Sequence, residues 1–277
     1  YTLGEVFDGT DAIFAYYPDQ LDAFFAFGVS GGILDAVANG DGTAMLDAVV
    51  RMQNQVPNER WAPFLKNHDQ TRTLTVLGGD LEGTRLAATF LLTLPGLPFV
   101  YYGEELGMTG DKPDPRIRTP MHWNLGHAAG FTTGTPWEPL QDDWQTANVE
   151  VLDGSDDSIL DLYRELIRLR LANPALGASA ELVPLRSNVH GAVAYLRRGE
   201  DDAALVVANL GTEPLAGVDL WSESEVLAAG DYAPEILLGE GDAAPLTVGA
   251  NGRFEGYVPL ANLQPRRAYV LSITSGP

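Results

Sequence analysis

The sequence predicts an α/β unit built on a parallel sheet, followed by an antiparallel all-β domain. In the first part of the chain, short apolar runs alternate with longer segments of helical periodicity, the pattern of parallel strands joined by crossover helices. After Pro174 the helical patterns stop, and short strand-like runs separated by Gly, Pro and Asp clusters remain. We therefore place a domain boundary near residues 175–180, giving domains of 1–177 and 178–277.

The elements of the α/β unit follow from apolar spacing and from breaking residues. A helical pattern over residues 33–54 is divided by Gly40 and Gly42, and another over 83–94 is stopped by Pro95. Residues 158–172 form an amphipathic helix capped by Ser158 or Asp157. The predicted strands are residues 1–7, 23–27, 63–67 and 98–103.

Two further features concern the loops and the second domain. The segment 104–151 is far longer than an ordinary connection, which indicates a functional loop. Tyr101 and Tyr102 are consecutive in a predicted strand, so we expect them to point to opposite sides. In the second domain, strands are predicted at 192–198, 203–210 and 268–274.

The composition excludes several classes of partner. The formal charge is −21, from 38 acidic and 17 basic residues, and such a surface repels phosphate backbones and anionic lipids. We expect neither nucleic-acid nor membrane partners, and a neutral substrate fits best. The absence of cysteine excludes disulfides and thiolate metal sites. We expect an extracellular location, with a cytoplasmic one left open.

The beginning of the sequence resembles the interior of a domain. YTLGEVFDG lacks the basic and apolar segments of a signal peptide and forms a short strand with no preceding cap or turn. We therefore expect a further part of the domain on the N-terminal side.

Polar side chains gather where the predicted strands end. Glu5 lies near the end of the first, His68 and Asp69 at the end of the third, and Glu104 and Glu105 after the fourth. In a parallel α/β barrel these ends form the active site, and two carboxyl groups around a sugar can cleave a glycosidic bond. A merely hydrogen-bonded strand terminus would explain residues 67–69 equally well.

The order of motifs carries a more specific signal. The chain resembles the second half of the α-amylase family of glycoside hydrolases, which implies strands five to eight of a (β/α)8 TIM barrel followed by a C-terminal β-sandwich. The matching motifs are GEVFD at 4–8, FLKNHDQTR at 64–72, TLPGLPFVYYGEELGM at 93–108, KPDPRIRTPMHW at 112–123, AGFTTGTPW at 129–137 and NVE…YRELIRLR at 148–170.

This resemblance implies roles for residues at two strand ends. Glu5 is similar to the general acid/base that protonates the leaving glycosidic oxygen. Asp69 resembles the third catalytic carboxylate, which holds sugar hydroxyls and favours the oxocarbenium-like ring. His68 resembles its sugar-binding neighbour. Arg72 resembles the basic residue that closes the same motif, as a further substrate-binding position, although pairing with a barrel carboxylate is the alternative.

The resemblance extends to the long loop. Asp114 and Arg118 have the spacing of a pair that lines the donor side of the cleft in several family members. The alternative for Asp114 is that it only caps the turn before Pro115. No residue of this chain is assigned as a metal ligand or cofactor ligand, and calcium is expected, if at all, through the N-terminal part.

The resemblance implies that strands one to four of the barrel, with the nucleophilic aspartate, lie outside this sequence. We expect a complementary N-terminal fragment or chain to complete the barrel, because a half-barrel leaves an unpaired edge. The implied function is retaining cleavage of α-1,4-glucosidic bonds in starch, maltodextrins or related α-glucans. An oligosaccharide-acting α-glucosidase or a glucanotransferase is an alternative within the family, and a non-catalytic sugar-binding relative is an alternative of another class.

Overall fold

The first sheet of the protein is parallel and is built from very short strands. The computed structural model describes residues 1–274, and its first sheet has the order β1-β2-β3. The strands are β1 (Leu3–Gly4), β2 (Ala23–Phe25) and β3 (Trp61–Ala62). Parallel pairing continues through one bridge between Phe64 and Phe99. The four strand segments therefore lie side by side in chain order, as the alternating pattern predicted.

The fourth predicted strand is shorter than expected. The amides of Leu97 and Phe99 each donate to the strand before it, at 2.9 Å to Trp61 O and 2.9 Å to Pro63 O. Regular pairing stops after Phe99, and the chain turns at Gly103, whose φ of 84° is left-handed. The strand predicted over 98–103 is thus confirmed only at its beginning.

Helices cover this sheet, and glycine sets one of their boundaries. The helix predicted over 33–54 is divided, as expected, at Gly40, which has a left-handed φ of 72°. Its first part starts earlier than predicted, because Val29, Ile33 and Val37 form one buried face despite the intervening glycines. The two parts are α2 (Phe27–Asn39) and α3 (Thr43–Gln53), preceded by the short α1 (Thr10–Phe14).

Two long helices end the α/β part, and side chains cap both. In α5 (Leu81–Thr93) the Asp80 side chain accepts a hydrogen bond from the Gly83 amide at 2.8 Å. In α8 (Ile159–Ala172) the Ser158 hydroxyl accepts from the Asp161 amide at 3.0 Å, which confirms the predicted Ser158 cap. The remaining helices are single turns: α4 (Thr73–Val76), α6 (Asp114–Ile117) and α7 (Val149–Leu152).

The rest of the chain forms antiparallel strands. Six of them make one sheet in the order β10-β13-β6-β5-β4-β8, and two short pairs, β9 with β11 and β7 with β12, lie apart from it. The strands are β4 (Glu181–Ser187), β5 (Ala192–Arg198), β6 (Ala203–Asn209), β7 (Leu215–Ala216), β8 (Leu220–Trp221), β9 (Gly230–Tyr232), β10 (Glu235–Leu238), β11 (Leu246–Val248), β12 (Asn262–Leu263) and β13 (Arg267–Ile273).

The six-stranded sheet has apolar residues on both faces. One face, with Tyr195, Val206 and Val270, shares a continuous core with the helices of the α/β part. The opposite face packs in a second core against residues of the two short strand pairs. The antiparallel all-β character is as predicted, but the second layer consists of short strand pairs and loops rather than a second broad sheet.

The two parts of the chain are also joined by a buried arginine. Arg197 of β5 is fully buried, and its guanidinium donates to Thr93 O at the end of α5, to Gly177 O at 2.6 Å and to Ala180 O at 3.1 Å. These carbonyls belong to the end of a helix and to the connection before β4, where backbone acceptors would otherwise lack partners. Within residues 1–274, no helix has the length and apolarity needed to cross a bilayer.

Candidate active site

Glu5 and Asp69 lie on the same rim of the parallel sheet. Glu5 follows β1 directly, and Asp69 lies just beyond the end of the third strand segment. Asn67 connects them: its Nδ2 lies 3.5 Å from Glu5 Oε1, and its Oδ1 accepts from the Asp69 amide at 3.0 Å. Both carboxylates are exposed. The structure therefore brings the two predicted catalytic residues to one solvent-facing edge.

Asn67 also shapes the turn that presents Asp69. The Gln70 amide donates to Asn67 O at 3.2 Å, and an Asn side chain that accepts from the amide two residues later is a standard turn-forming contact. For Asn67 the sequence indicated only the alternative of a hydrogen-bonded strand terminus over residues 67–69. The available signal was its position immediately before the His-Asp pair at a strand end.

His68 lies beside Asp69 at the rim. Its Nε2 is 3.4 Å from Asp69 Oδ2, and both side chains are about half exposed, at 56% and 50%. This placement is compatible with the sugar-binding position predicted for His68. The other oxygen of Asp69 faces the long loop instead.

Arg118 connects the long loop to Asp69. Its Nη2 donates to Asp69 Oδ1 at 2.6 Å and to Asp114 Oδ2 at 2.7 Å, and its Nε donates to His68 O at 2.8 Å. Asp114 also contacts the Lys112 ammonium, and this hydrogen bond, with the charge of Arg118, lowers the pKa of the Asp114 carboxyl. The predicted pair Asp114 and Arg118 thus reaches the same rim as Asp69.

Arg72 has a different position from the one expected. It is 1% exposed, its Nη1 donates to Tyr102 O at 2.7 Å, and its amide donates to Gly110 O at 2.9 Å. A side chain this buried cannot contact a sugar in an open cleft. The structure therefore does not show the substrate contact expected for Arg72, nor the alternative, a direct pairing with a barrel carboxylate.

Both tyrosines after the fourth strand pack against Arg72. The guanidinium carbon lies 4.7 Å from the ring centre of Tyr101 and 4.8 Å from that of Tyr102. The expectation that these rings point to opposite sides was wrong, because regular strand pairing ends at Phe99 and the alternation of a strand no longer applies. Sequence reasoning had no signal for this shared contact.

Glu104 is buried beneath the rim rather than presented on it. It is 3% exposed, and its carboxyl accepts from the Thr73 hydroxyl at 2.6 Å and from the Tyr101 amide at 3.2 Å. Burial raises the pKa of Glu104 to about 7, and burial also raises the pKa of Glu105. Neither side chain has the exposed position of Glu5 or Asp69, so these carboxyls are poor candidates for attack on a sugar.

A metal site does not emerge from the described residues. Within residues 1–274, no group of three or more His, Cys, Asp or Glu side chains is arranged to hold a metal ion. No chemical step below depends on a metal.

Comparison with known proteins gives one consistent result. A sequence model described as "Alpha amylase, catalytic domain" matches residues 1–179. "Alpha-amylase 3" of Dictyoglomus thermophilum is 33% identical over 217 residues, covering 76% of this chain and 42% of the relative. "Trehalose-6-phosphate hydrolase" of Escherichia coli is 30% identical over 226 residues, covering 66% of this chain and 40% of the relative.

A solved structure extends the match to nearly the whole chain. The crystal structure of an α-amylase from H. orenii has a TM-score of 0.79 and 27% sequence identity, and the match covers 98% of this chain and 53% of that one. The chain therefore spans about half the length of the proteins that it resembles.

The burial of Glu104 predicts a specific pH dependence of stability. Its folded-state pKa of about 7 lies above the ordinary value of 4.5, so the folded protein holds this proton more tightly than the unfolded chain does. The resulting stabilisation is complete below the unfolded pKa and is lost as the pH rises through about 7. We expect Glu104→Gln, which cannot ionise, to gain about 3 kcal/mol relative to wild type between about pH 5 and pH 8.

Urea unfolding of both proteins across this pH range measures the difference. Glu200→Gln, at an exposed position in the turn between β5 and β6, is the matched control and should follow the wild-type curve. A constant difference between wild type and Glu104→Gln at every pH would contradict the assignment.

Proposed function

The chain belongs to the α-amylase family of glycoside hydrolases, and from this premise we propose that it supplies two of the three catalytic carboxylates of an α-glucan hydrolase. Glu5 is the general acid/base, Asp69 stabilises the transition state, and the nucleophile comes from a complementary N-terminal part of the barrel. The observation that carries the proposal is the link through Asn67, which joins the Glu5 carboxylate to the turn that presents Asp69.

The proposed reaction is retaining cleavage of α-1,4-glucosidic bonds. The Glu5 carboxyl donates its proton to the glycosidic oxygen as the bond to the anomeric carbon breaks, and the nucleophile forms a covalent glycosyl intermediate. The Glu5 carboxylate then takes a proton from the water that hydrolyses this intermediate. Asp69, with His68 beside it, accepts hydrogen bonds from sugar hydroxyls, and these bonds strengthen as the ring flattens.

An open edge of the sheet supports the need for a complement. Phe99 and Val100, on the fourth strand segment, are 43% and 40% exposed, and within residues 1–274 the first sheet ends at this segment and at β1. Exposed apolar residues on an unpaired parallel edge favour pairing with further strands. A closed barrel would cover these residues and would bring a carboxylate from another strand to the same rim.

Oligosaccharide-acting enzymes are a second candidate within the family. The similarity to a trehalose-6-phosphate hydrolase supports an oligosaccharide-acting α-glucosidase as this candidate, with a glucanotransferase as the related alternative. Product length separates the candidates, because an endo-acting enzyme releases a range of maltooligosaccharides from a long glucan and an exo-acting one releases a single short product.

Replacing Glu5 with Gln should abolish turnover without abolishing binding. The substitution keeps the size of the side chain but removes the proton, so in the enzyme completed by its N-terminal part kcat should fall roughly 10²–10⁴-fold while maltooligosaccharide binding changes little. Steady-state kinetics and calorimetric binding measure the two effects. Glu200→Gln is the control, and a Glu5→Gln variant with normal kcat would remove Glu5 from the role of acid/base.

Replacing Asp69 with Asn should reduce kcat on every α-glucan tested. Because the carboxylate accepts its strongest hydrogen bonds in the transition state, the loss should appear in kcat and kcat/KM together. Asp41→Asn is the control, since Asp41 is exposed in the turn before α3 and an amide oxygen can still accept from the Thr43 amide. A rise in KM at unchanged kcat would instead make Asp69 a binding residue only.

A further inference from the structure

The position of Arg118 needs an explanation beyond its ion pairs. Its side chain is 36% exposed, and it lies just after the single-turn helix α6 in a long irregular loop. A half-exposed arginine in such a loop can adopt many rotamers, and exposed ion pairs hold side chains weakly. Yet Arg118 contacts Asp69, Asp114 and the carbonyl of His68 at the same time.

Two consecutive tyrosine hydroxyls hold the backbone on either side of Arg118. The Tyr101 hydroxyl donates to Ile117 O at 3.0 Å, and the Tyr102 hydroxyl donates to Thr119 O at 2.7 Å. Ile117 and Thr119 are the immediate neighbours of Arg118 in the chain and are themselves buried. Burial raises the pKa of the Tyr101 hydroxyl, so it stays protonated as a donor. The loop backbone is therefore held on both sides of this arginine, at the Ile117–Arg118 peptide group and at the Thr119–Pro120 peptide group.

Arg72 holds the two tyrosines in place through its guanidinium group. Its guanidinium lies against both rings, donates to the carbonyl of Tyr102, and is almost fully buried. Among the described residues, the Nε and Nη2 atoms of Arg72 have no hydrogen-bond partner. The two tyrosine rings are therefore the contacts that stabilise the buried guanidinium charge on this side. The Arg72 amide also holds Gly110, where a Cβ atom would lie 2.7 Å from Arg116 O.

We propose that Tyr101 and Tyr102, braced by Arg72, are positioning residues that hold Arg118 against Asp69 for catalysis. The proposal rests on the proposed function, because it takes Asp69 as the group that stabilises the transition state. Arg118 binds Oδ1 of Asp69 and leaves Oδ2, on the side of His68, free to accept from sugar hydroxyls. Loss of either tyrosine hydroxyl would release one side of the Arg118 backbone and let the Asp69 carboxylate rotate.

Tyrosine-to-phenylalanine variants test this role because they remove the hydroxyls and keep the rings on Arg72. In the enzyme completed by its N-terminal part, Tyr101→Phe and Tyr102→Phe should each lower kcat about 3–5-fold, and the double variant about 10–20-fold, the size expected for one and two hydrogen bonds. KM should change less than about twofold, because the change acts through the orientation of Asp69 in the transition state.

The chain offers a matched control for the loss of a hydroxyl. Tyr257 also donates its hydroxyl to a backbone carbonyl, that of Ala244 at 3.0 Å, but it lies in the β-domain. Tyr257→Phe should leave both kcat and KM unchanged. A double variant that matches Tyr257→Phe in kcat, or one that raises KM at constant kcat, would overturn the proposal.

A measurement without substrate separates this proposal from the proposed function. Hydrogen exchange of the unassembled chain should show faster exchange of the Arg116 and Arg118 amides in the double variant, by about tenfold or more, with β6 amides unchanged. Unchanged exchange of these amides would overturn the proposal, as would faster exchange with normal kcat. If the wild-type complemented enzyme cleaves no α-glucan, the proposed function fails, and the exchange result still decides whether the hydroxyls hold the loop.

Discussion

Parallel strand pairing is the constraint on which the site depends. The registers Gly4 with Phe24, Phe25 with Ala62, and Phe64 with Phe99 align the ends of four strand segments at one rim. A slip of one residue would turn each side chain to the opposite face, so Glu5 and Asp69 meet only in this register. Because the paired stretches are two or three residues long, the buried core beneath them must hold the register, and Phe24 and Trp61 are fully buried there.

Arginine is used inside this acidic chain to organise backbone that has no regular partner. Arg170 donates to the carbonyls of Leu92, Leu94 and Gly96 at the end of α5, where a positive charge is favourable. Arg197 binds the neighbouring carbonyls from the β-domain, and Arg72 does the same for the loop behind the rim. Basic residues are few, at 17 against 38 acidic ones, yet Arg72, Arg85 and Arg197 are buried. The β-domain and the long loop are thus attached to the strands by similar contacts.

The sequence predicted the elements well and the contacts between them poorly. The order of the strand segments, the glycine break at Gly40 and the Ser158 cap follow from local rules, and the motif order identified the family. The start of α2 at Phe27 was not predicted, because the glycines in its first turns interrupt the apolar pattern in the sequence. The burial of Arg72 and the shared contact of Tyr101 and Tyr102 could not be predicted, since both depend on where a distant loop returns. The alternation of apolar and polar residues predicts which way a side chain points only within a regular strand. It does not apply to residues that follow the end of the strand, such as Tyr101 and Tyr102.

We propose that this chain holds the acid/base and the transition-state carboxylate and depends on other strands for the nucleophile. The most direct measurement is release of reducing sugar from soluble starch by the purified chain, verified by mass to carry no companion. The same assay is then repeated after mixing with a separately purified polypeptide that carries barrel strands one to four. The account predicts no release by the chain alone and release by the mixture. Hydrolysis by the chain alone, at even a few per cent of the rate of the mixture, would contradict it, because the proposed nucleophile belongs to strands that only the second polypeptide carries.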